Sequence, residues 1–210
     1  KFAGKSSEEV KQLSASVKDY ADKTVYGLGG NALSAAVAEK IYAAKGRPSD
    51  NPLIVHIARV EALQPLAAEI PDAVYRLAEA FWPGPLTMIV KKSERVPRET
   101  SGGLDTVAVR LPGDANARAL IEAAGLPIAA PSANTSGRPS PTEARHVAED
   151  LGGKIDMILD GGAVAVGLES TIVDLSGSVP TLLRPGAITV EMLEEVLGKV
   201  QLDPVLKKPL

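Results

Sequence analysis

The chain has 210 residues, of which 45% are hydrophobic and 23% are charged, and its formal net charge is -3 at pH 7. This length suits one domain, or one domain with a short tail. The chain contains no cysteine, which excludes disulfides, thiolate metal sites and a cysteine nucleophile. The two histidines, His56 and His146, are far apart in the sequence, so a zinc site with regularly spaced ligands is not expected.

Several other protein classes are excluded or disfavoured. No stretch approaches the roughly 20 apolar residues of a membrane-spanning helix, and residues 1–10 lack the apolar core of a signal peptide. We therefore expect a cytoplasmic protein with no membrane partner. The negative net charge argues against a surface that binds nucleic acid everywhere, but it leaves a local basic cleft possible. Neither the P-loop pattern nor the G-x-G-x-x-G dinucleotide pattern is present.

Hydrophobic periodicity predicts helices and strands in a mixed order. Helices are predicted over residues 6–17, 31–44, 63–81 (interrupted near Pro71), 116–124, 141–151 and 191–197. Residues 24–30 form a short apolar run that ends in glycines. Short β-branched runs bounded by turn residues predict strands over residues 52–57, 85–91, 106–111, 127–130, 157–159, 170–175 and 181–184.

These elements do not alternate strictly, so we predict a single α/β domain with a twisted, mixed sheet. The predicted domain spans residues 1–198. Residues 199–210 contain two prolines and little periodicity, which is typical of a tail or the start of a linker.

Two cations flank a glycine at a predicted helix end, in the sequence Lys45-Gly46-Arg47. A lysine offers a point charge and an arginine offers a planar fork, a combination suited to a triphosphate. The alternative is a solvated pair that neutralises the helix C-terminus, and the segment by itself favours that alternative.

Other polar residues lie where predicted strands begin or end. Alternation along residues 106–111 puts Thr106, Ala108 and Arg110 on one face, where Arg110 is a suitable partner for a carboxylate. Ser132 and Asn134 follow the strand at 127–130, at a position where α/β sheets often bind ligands. An ordinary turn would explain them equally well.

The last two segments are more ambiguous. Ser170 and Thr171 follow a glycine-containing stretch and could contact a ligand, although a hairpin with polar edge residues would explain them as well. Arg184 ends a predicted strand before Pro185-Gly186, and it could face either a crevice or solvent.

Taken together, these segments resemble the YrdC-type threonylcarbamoyl-AMP synthases. The matching pieces occur in the order and with the spacing of that family, from residue 24 to about residue 198. They are T-V-Y-G-L-G at 24–29, K-G-R-P-S-D-N-P-L at 45–53, F-W-P-G-P-L-T at 81–87, V-A-V-R-L-P at 107–112, A-P-S-A-N-T-S-G at 130–137, E-S-T-I-V-D at 169–174 and L-R-P-G at 183–186. The K-x-R and S-x-N pair is the signature of the family.

The resemblance implies a YrdC-like fold with a large concave cavity that holds ATP and L-threonine. ATP would be contacted by Lys45, Arg47, Asn51, Thr106, Ser132, Asn134, Ser140 and Arg184. Threonine would be held by Thr24, His56, Arg110, the backbone near Ala130, and Ser170. Without the resemblance, His56 would be interpreted as an ordinary core histidine.

The implied reaction forms threonylcarbamoyl-AMP and pyrophosphate from L-threonine, bicarbonate and ATP, for threonylcarbamoyladenosine modification of tRNA. Lys45 and Arg47 would stabilise charge on the phosphates. Magnesium would be bound through the phosphates and not by a protein-built cage. The product would pass to a threonylcarbamoyl transferase, and contact with tRNA is a further expectation.

Residues 1–23 are atypical for this family. The family usually has an apolar strand ending in P-T-[ED] before T-V-Y-G-L, whereas residues 17–23 contain no proline and Lys23 stands where an acid is expected. Two alternative functions remain open. One is a double-stranded-RNA-binding module of the same fold, and the other is an ATP-dependent enzyme that activates a carbamoyl group.

Overall fold

A computed structural model describes residues 15–18, 25–164 and 169–207, the first of these ranges as backbone alone. Its strands are β1 (Ala15–Lys18), β2 (Tyr26–Asn31), β3 (Ile54–His56), β4 (Leu86–Lys91), β5 (Thr106–Arg110), β6 (Ile128–Ala129), β7 (Met157–Ile158), β8 (Thr171–Asp174), β9 (Thr181–Arg184) and β10 (Gln201–Leu202). Its α-helices are α1 (Ala35–Lys45), α2 (Asp72–Phe81), α3 (Ala115–Ala124), α4 (Ala144–Leu151) and α5 (Val190–Leu197). Two 3₁₀ turns cover Val60–Leu63 and Pro204–Lys207.

The strands form one mixed sheet in the order β10-β9-β8-β4-β5-β3-β6-β2-β1-β7. Strand β3 pairs in parallel with β5, and β4 pairs in parallel with β8. The central pair β4–β5 is antiparallel, as are β3–β6 and β2–β6. The predicted single α/β domain with a mixed sheet is therefore confirmed.

The two faces of this sheet differ in character because successive strand residues point to opposite sides. On β3 and just beyond it, Val55 and Ile57 are fully buried in the main core, whereas Ile54 and His56 are half-buried on the other face. The main core packs under apolar residues of α1, α2, α4 and α5. A second, smaller cluster joins Leu120 and Ile121 of α3 to Ile128.

Most predicted elements are observed, and the differences have local causes. The helix predicted over residues 63–81 begins at Asp72, since Pro71 occupies the N-cap position and a proline cannot continue a helix from its preceding turn. The helix predicted over 31–44 begins at Ala35, because Asn31 belongs to β2 and Ser34 caps the helix by accepting from the Val37 N–H at 3.4 Å.

The chain ends also differ from expectation. The helix predicted over residues 6–17 is wrong at its end, where Ala15–Lys18 forms β1 and pairs with β2 and β7. Residues 6–14 lie outside the described residues, as does most of the atypical segment 1–23. The predicted tail at 199–210 contributes β10, which pairs in parallel with β9 and extends the sheet beyond residue 198. Two strand residues are too few to produce a visible periodicity.

No helix in the described part of the chain is both long enough and apolar enough to cross a membrane.

Helix α2 provides a test of the core. Leu77 is fully buried, whereas Tyr75 on the same helix is 46% exposed. We expect Leu77→Ala to lower the free energy of unfolding by about 2–5 kcal/mol, since it removes buried methyl groups and leaves a cavity. The matched variant Tyr75→Ala should change it by less than about 0.5 kcal/mol. Urea denaturation measures both values, and equal losses would contradict this description of the core.

Candidate functional site

A concave cleft lies on the face of the sheet opposite the main core. Its volume is about 270 Å³. The polar and charged side chains that line it are Arg47, Asn51, His56, Arg110, Ser132, Glu169, Ser170 and Arg184. These residues come from separate segments of the chain and are brought together by the sheet. Three arginines in one cleft make it a site for an anion.

The end of helix α1 directs two neighbouring cations to different places. Gly46 adopts a left-handed conformation, with φ of 61°, and caps the helix through N–H bonds to the carbonyls of Tyr42 and Ala43. Lys45 is the last helical residue and is only 2% exposed, whereas Arg47 follows the turn and lines the cleft. The left-handed turn, which glycine adopts readily, therefore separates the two side chains.

Lys45 lies behind the wall of the cleft. Its Nζ donates to the Asn134 carbonyl at 2.7 Å, to Asn134 Oδ1 at 3.3 Å and to the Ser132 carbonyl. These three acceptors match the three N–H groups of an ammonium ion. The pKa of Lys45 is lowered to about 8, mainly because the side chain is buried and secondly because of the nearby charge of Arg47. Lys45 therefore holds the S-x-N loop in place from within the protein.

The same loop is fixed from its other side. Asn134 Nδ2 donates to the carbonyls of Thr135 at 3.0 Å and Arg138 at 2.7 Å, so its amide is engaged within the loop. Asp150 on α4 accepts from the Thr135 N–H at 3.0 Å and from Arg138 Nη1 at 2.5 Å. Ser132 is the member of the S-x-N pair that lines the cleft.

Arg47 has unused hydrogen-bonding capacity. Its Nη2 donates to the Pro52 carbonyl at 3.4 Å. Its Nε is buried and, within the described part of the chain, finds no hydrogen-bond partner. Burial is the largest cause that lowers the pKa of Arg47. Since a buried donor without a partner is costly, an anionic ligand would stabilise this side chain.

Arg110 and His56 lie side by side, because they are register partners on the parallel strands β5 and β3. Arg110 is 5% exposed, and its Nε donates to the Gly84 carbonyl at 3.1 Å. That carbonyl belongs to the turn between α2 and β4, which Trp82 Nε1 fixes through a bond to the Leu86 carbonyl at 2.7 Å. The F-W-P-G-P-L-T segment thus positions a cleft arginine without itself lining the cleft.

His56 is held in its neutral form. The pKa of His56 is lowered to about 3, mainly because the side chain is buried and secondly because of the positive charge of Arg110. Its Nδ1 is buried and has no hydrogen-bond partner among the described residues. A neutral imidazole can donate from one nitrogen and accept at the other. His56 can therefore recognise a polar group on a ligand without adding charge to the cleft.

A β-bulge brings Arg184 to the cleft. Ile172 pairs with Arg184 but Val173 pairs with Leu182, so Leu183 is an extra residue on β9. Without the bulge, Leu182 and Arg184 would share one face, because they are two residues apart. Leu182 is buried in the main core, whereas Arg184 lines the cleft. Bulges commonly redirect a side chain in this way.

Arg184 is then fixed by its neighbours. Its Nε donates to the Ser170 carbonyl at 2.9 Å and its Nη2 to Ser170 Oγ at 3.0 Å, while Nη1 forms an ion pair with Glu169. Ser170 Oγ is also 2.7 Å from Thr87 Oγ1 on β4. Gly186 lies so close to β8 that an added Cβ would be 2.6 Å from the Thr171 nitrogen. The absence of a side chain at this position allows the L-R-P-G turn to approach β8.

The family model for the Sua5/YciO/YrdC domain, described as telomere recombination, matches residues 19–186. The chain belongs to this family. It is 56% identical to the threonylcarbamoyl-AMP synthase of Pyrococcus abyssi over 88% of its length, covering 54% of that relative, and 52% identical to that of Bacillus subtilis over 86%, covering 53%. It thus spans about half the length of these curated relatives.

A solved structure of a Sua5/YciO/YrdC protein gives the same result for the fold. The crystal structure of P. abyssi Sua5 complexed with L-threonine superimposes with a TM-score of 0.87 and 53% sequence identity. The match covers 96% of this chain and 58% of that one. The YrdC-type resemblance inferred from the sequence motifs is therefore confirmed.

The predicted site residues divide into three groups. Those that line the cleft are Arg47, Asn51, His56, Arg110, Ala130, Ser132, Ser170 and Arg184. Those that are not among the described lining residues are Lys45, Thr106, Asn134 and Ser140. Thr24 lies outside the described residues. Thr106 begins β5, roughly 13 Å along the strand from Arg110. This separation explains why Thr106 is not among the residues that line the cleft.

Sequence reasoning missed part of the lining. Glu169 belongs to the E-S-T-I-V-D segment but is not among the predicted site residues, although it lines the cleft beside Arg184. The apolar part of the wall was also missed, and it includes Ala117, Leu120 and Ile121 of α3. The periodicity predicts a helix over residues 116–124, but the apolar face of a helix packs in the same way against a core or against a ligand.

The role of Lys45 as a direct phosphate ligand remains a prediction, and in this structure its Nζ donates to the Ser132 and Asn134 carbonyls and to Asn134 Oδ1. We expect Lys45→Met to lower the free energy of unfolding by about 1–3 kcal/mol, since it leaves buried carbonyls unpaired. Lys40→Met, at an exposed position of α1, is the matched control and should have almost no effect. Equal stability of both variants in urea denaturation would show that Lys45 does not hold the S-x-N loop in place.

The low pKa of His56 predicts a pH dependence of stability. Between about 3 and the ordinary value of 6.5, the unfolded chain binds more protons than the folded chain. The contribution of this residue to stability is therefore complete above pH 6.5 and decreases as the pH falls toward 3. We expect His56→Gln to flatten this decrease in urea titrations across that range. His146→Gln, which retains His56, should keep the wild-type slope, and identical slopes in all three proteins would refute the assignment.

Proposed function

We propose that the chain is the catalytic domain of an L-threonylcarbamoyladenylate synthase. This nucleotidyltransferase would form threonylcarbamoyl-AMP and pyrophosphate from L-threonine, bicarbonate and ATP. The observation that carries the proposal is the convergence of Arg47, Arg110 and Arg184 on one cleft beside the neutral His56. The synthase names of the relatives and the L-threonine complex of P. abyssi Sua5 support the same substrate.

Threonine would bind at the Arg110 end of the cleft. The guanidinium of Arg110 suits its carboxylate, and the unpartnered Nδ1 of His56 suits a polar group of the same ligand. Ser170 and the backbone of Ala130 line the cleft as well. Because His56 is neutral, the positive charge near the ligand comes from Arg110, which favours a carboxylate over a neutral amide at this position.

The phosphates of ATP would bind near Arg47 and Arg184, with Ser132 and Asn51 on the cleft wall. A phosphate oxygen would satisfy the buried Nε of Arg47. Lys45 would contribute indirectly by holding the loop that presents Ser132. The roles of Thr106, Asn134 and Ser140 in ATP binding remain predictions, and Asn134 would act through the loop it stabilises.

The reaction would proceed in two steps. The threonine amine adds to the carbon of bicarbonate, and loss of water leaves an N-carboxylate on threonine. An oxygen of this carbamate attacks the α-phosphorus of ATP, the bond to the β-phosphate oxygen breaks, and pyrophosphate leaves. The cleft arginines would hold the two anions together despite their repulsion and would stabilise charge on the phosphates.

Magnesium would be bound through the phosphates. Across residues 15–18, 25–164 and 169–207, no group of three or more acidic or histidine side chains is arranged to hold a metal ion. When bound, the ion would neutralise phosphate charge. The product would serve tRNA modification after transfer by a separate threonylcarbamoyl transferase.

Pyrophosphate release from ATP tests the proposal. Release by the full chain in bicarbonate should depend on L-threonine. We expect Arg110→Ala to lower kcat/KM for threonine by about a hundredfold or more, because the carboxylate loses a charged, desolvated partner. Arg95→Ala, at an exposed position away from the cleft, is the matched control and should retain wild-type kinetics.

Other outcomes would change the assignment. Release that does not depend on threonine would refute the synthase and favour a carbamoyl-activating enzyme. Equal kinetics of Arg110→Ala and wild type would show that threonine binds elsewhere.

A further inference from the structure

Glu169 places a carboxylate among groups that were predicted to bind ATP. One of its oxygens accepts from Arg184 Nη1, and the other lies 3.5 Å from Ser140 Oγ. Arg184 and Ser140 belong to different segments, and the carboxylate connects them. Two oxygens of a phosphate could make the same pair of contacts, one with the Arg184 guanidinium and one with the Ser140 hydroxyl, because phosphate oxygens accept hydrogen bonds as carboxylate oxygens do.

The charges around Glu169 give the same indication. It is the one acidic side chain among the described residues that line the cleft. Burial lowers the pKa of Lys45, Arg47 and Arg184, and the negative charge of Glu169 opposes this lowering in all three. Glu169 thus offsets part of the mutual repulsion of these cations. An incoming polyphosphate would perform the same function more strongly.

The position of Glu169 also allows it to leave. Its side chain is 43% exposed, compared with 32% for Arg184. A carboxylate at this position can move into water while the incoming phosphate takes its place on Arg184, so the exchange carries little desolvation cost.

We propose that Glu169 is an internal counter-anion that occupies the phosphate position on Arg184 and exchanges with the phosphates of ATP and pyrophosphate. This inference rests on the proposed function, because it assumes that the cleft takes a polyphosphate. Glu169 acts as a specificity-determining residue: it weakens the hold of the cleft on any single phosphate group and helps pyrophosphate to leave after the reaction. The competing role for a carboxylate here is direct coordination of magnesium, which predicts the opposite effect of its removal.

Binding of inorganic pyrophosphate to the full chain, measured by calorimetry without threonine or nucleotide, tests this inference. We expect Glu169→Gln to lower the Kd for pyrophosphate roughly three- to tenfold, the size expected for loss of a partly exposed competing ion pair. The gain should occur both with and without magnesium. Glu122→Gln, an exposed acid on α3, changes net charge by the same amount and should leave the Kd unchanged.

A double-mutant cycle separates competition at Arg184 from a general charge effect. In an Arg184→Gln background, Glu169→Gln should no longer tighten pyrophosphate binding, because the shared partner is gone. Glu169→Asp, which keeps the charge, should bind less tightly than Glu169→Gln. A second variant, Glu169→Ala, keeps the test available if the glutamine variant is unstable in thermal unfolding.

Unchanged or weaker pyrophosphate binding by Glu169→Gln would overturn the proposal, and weakening confined to magnesium-containing buffer would identify a metal ligand instead. Absence of pyrophosphate binding to wild type and variants would overturn it as well. These outcomes are distinct from failure of the synthase assignment, because pyrophosphate binding does not require threonine. Tighter binding by the variant would support the counter-anion even if turnover proved independent of threonine.

Discussion

The central constraint in this protein is the accumulation of positive charge on one face of a sheet. Arg47, Arg110 and Arg184 line a single cleft, and Lys45 lies just behind it. Like charges in a partly desolvated site repel one another. The fold compensates by aiming backbone carbonyls at these cations, including those of Pro52, Gly84, Ser132, Asn134 and Ser170. The resulting site is prepared for an anion and partly neutralised before one binds.

The division of the sheet into two faces makes this arrangement possible. Strand alternation sends Val55 and Val109 into the helix-covered core, while their neighbours His56 and Arg110 face the cleft. The bulge at Leu183 extends this division to β9, where alternation alone would have buried Arg184 beside Leu182. A single extra residue therefore decides whether the third arginine reaches the site.

Supporting residues account for much of the sequence that resembles the family. Lys45, Asn134 and Asp150 fix the loop that carries Ser132, and the turn containing Gly84 orients Arg110. Such residues are not among those that line the cleft, yet they determine the direction of side chains that do. The family motifs contain both supporting residues and lining residues. A motif therefore does not show whether a residue supports the cleft or lines it.

The amino-acid sequence by itself determined the class of fold, the boundaries of most strands and the face of Arg110, because these depend on local periodicity and turn residues. Resemblance to a family supplied the full set of predicted site residues, and eight of those thirteen, Arg110 included, line the cleft. The sequence could not show that Lys45 points inward, that Glu169 lies beside Arg184, or that β9 contains a bulge. Each of these depends on contacts between segments far apart in the chain, and only the tertiary structure, by bringing those segments together, decided them.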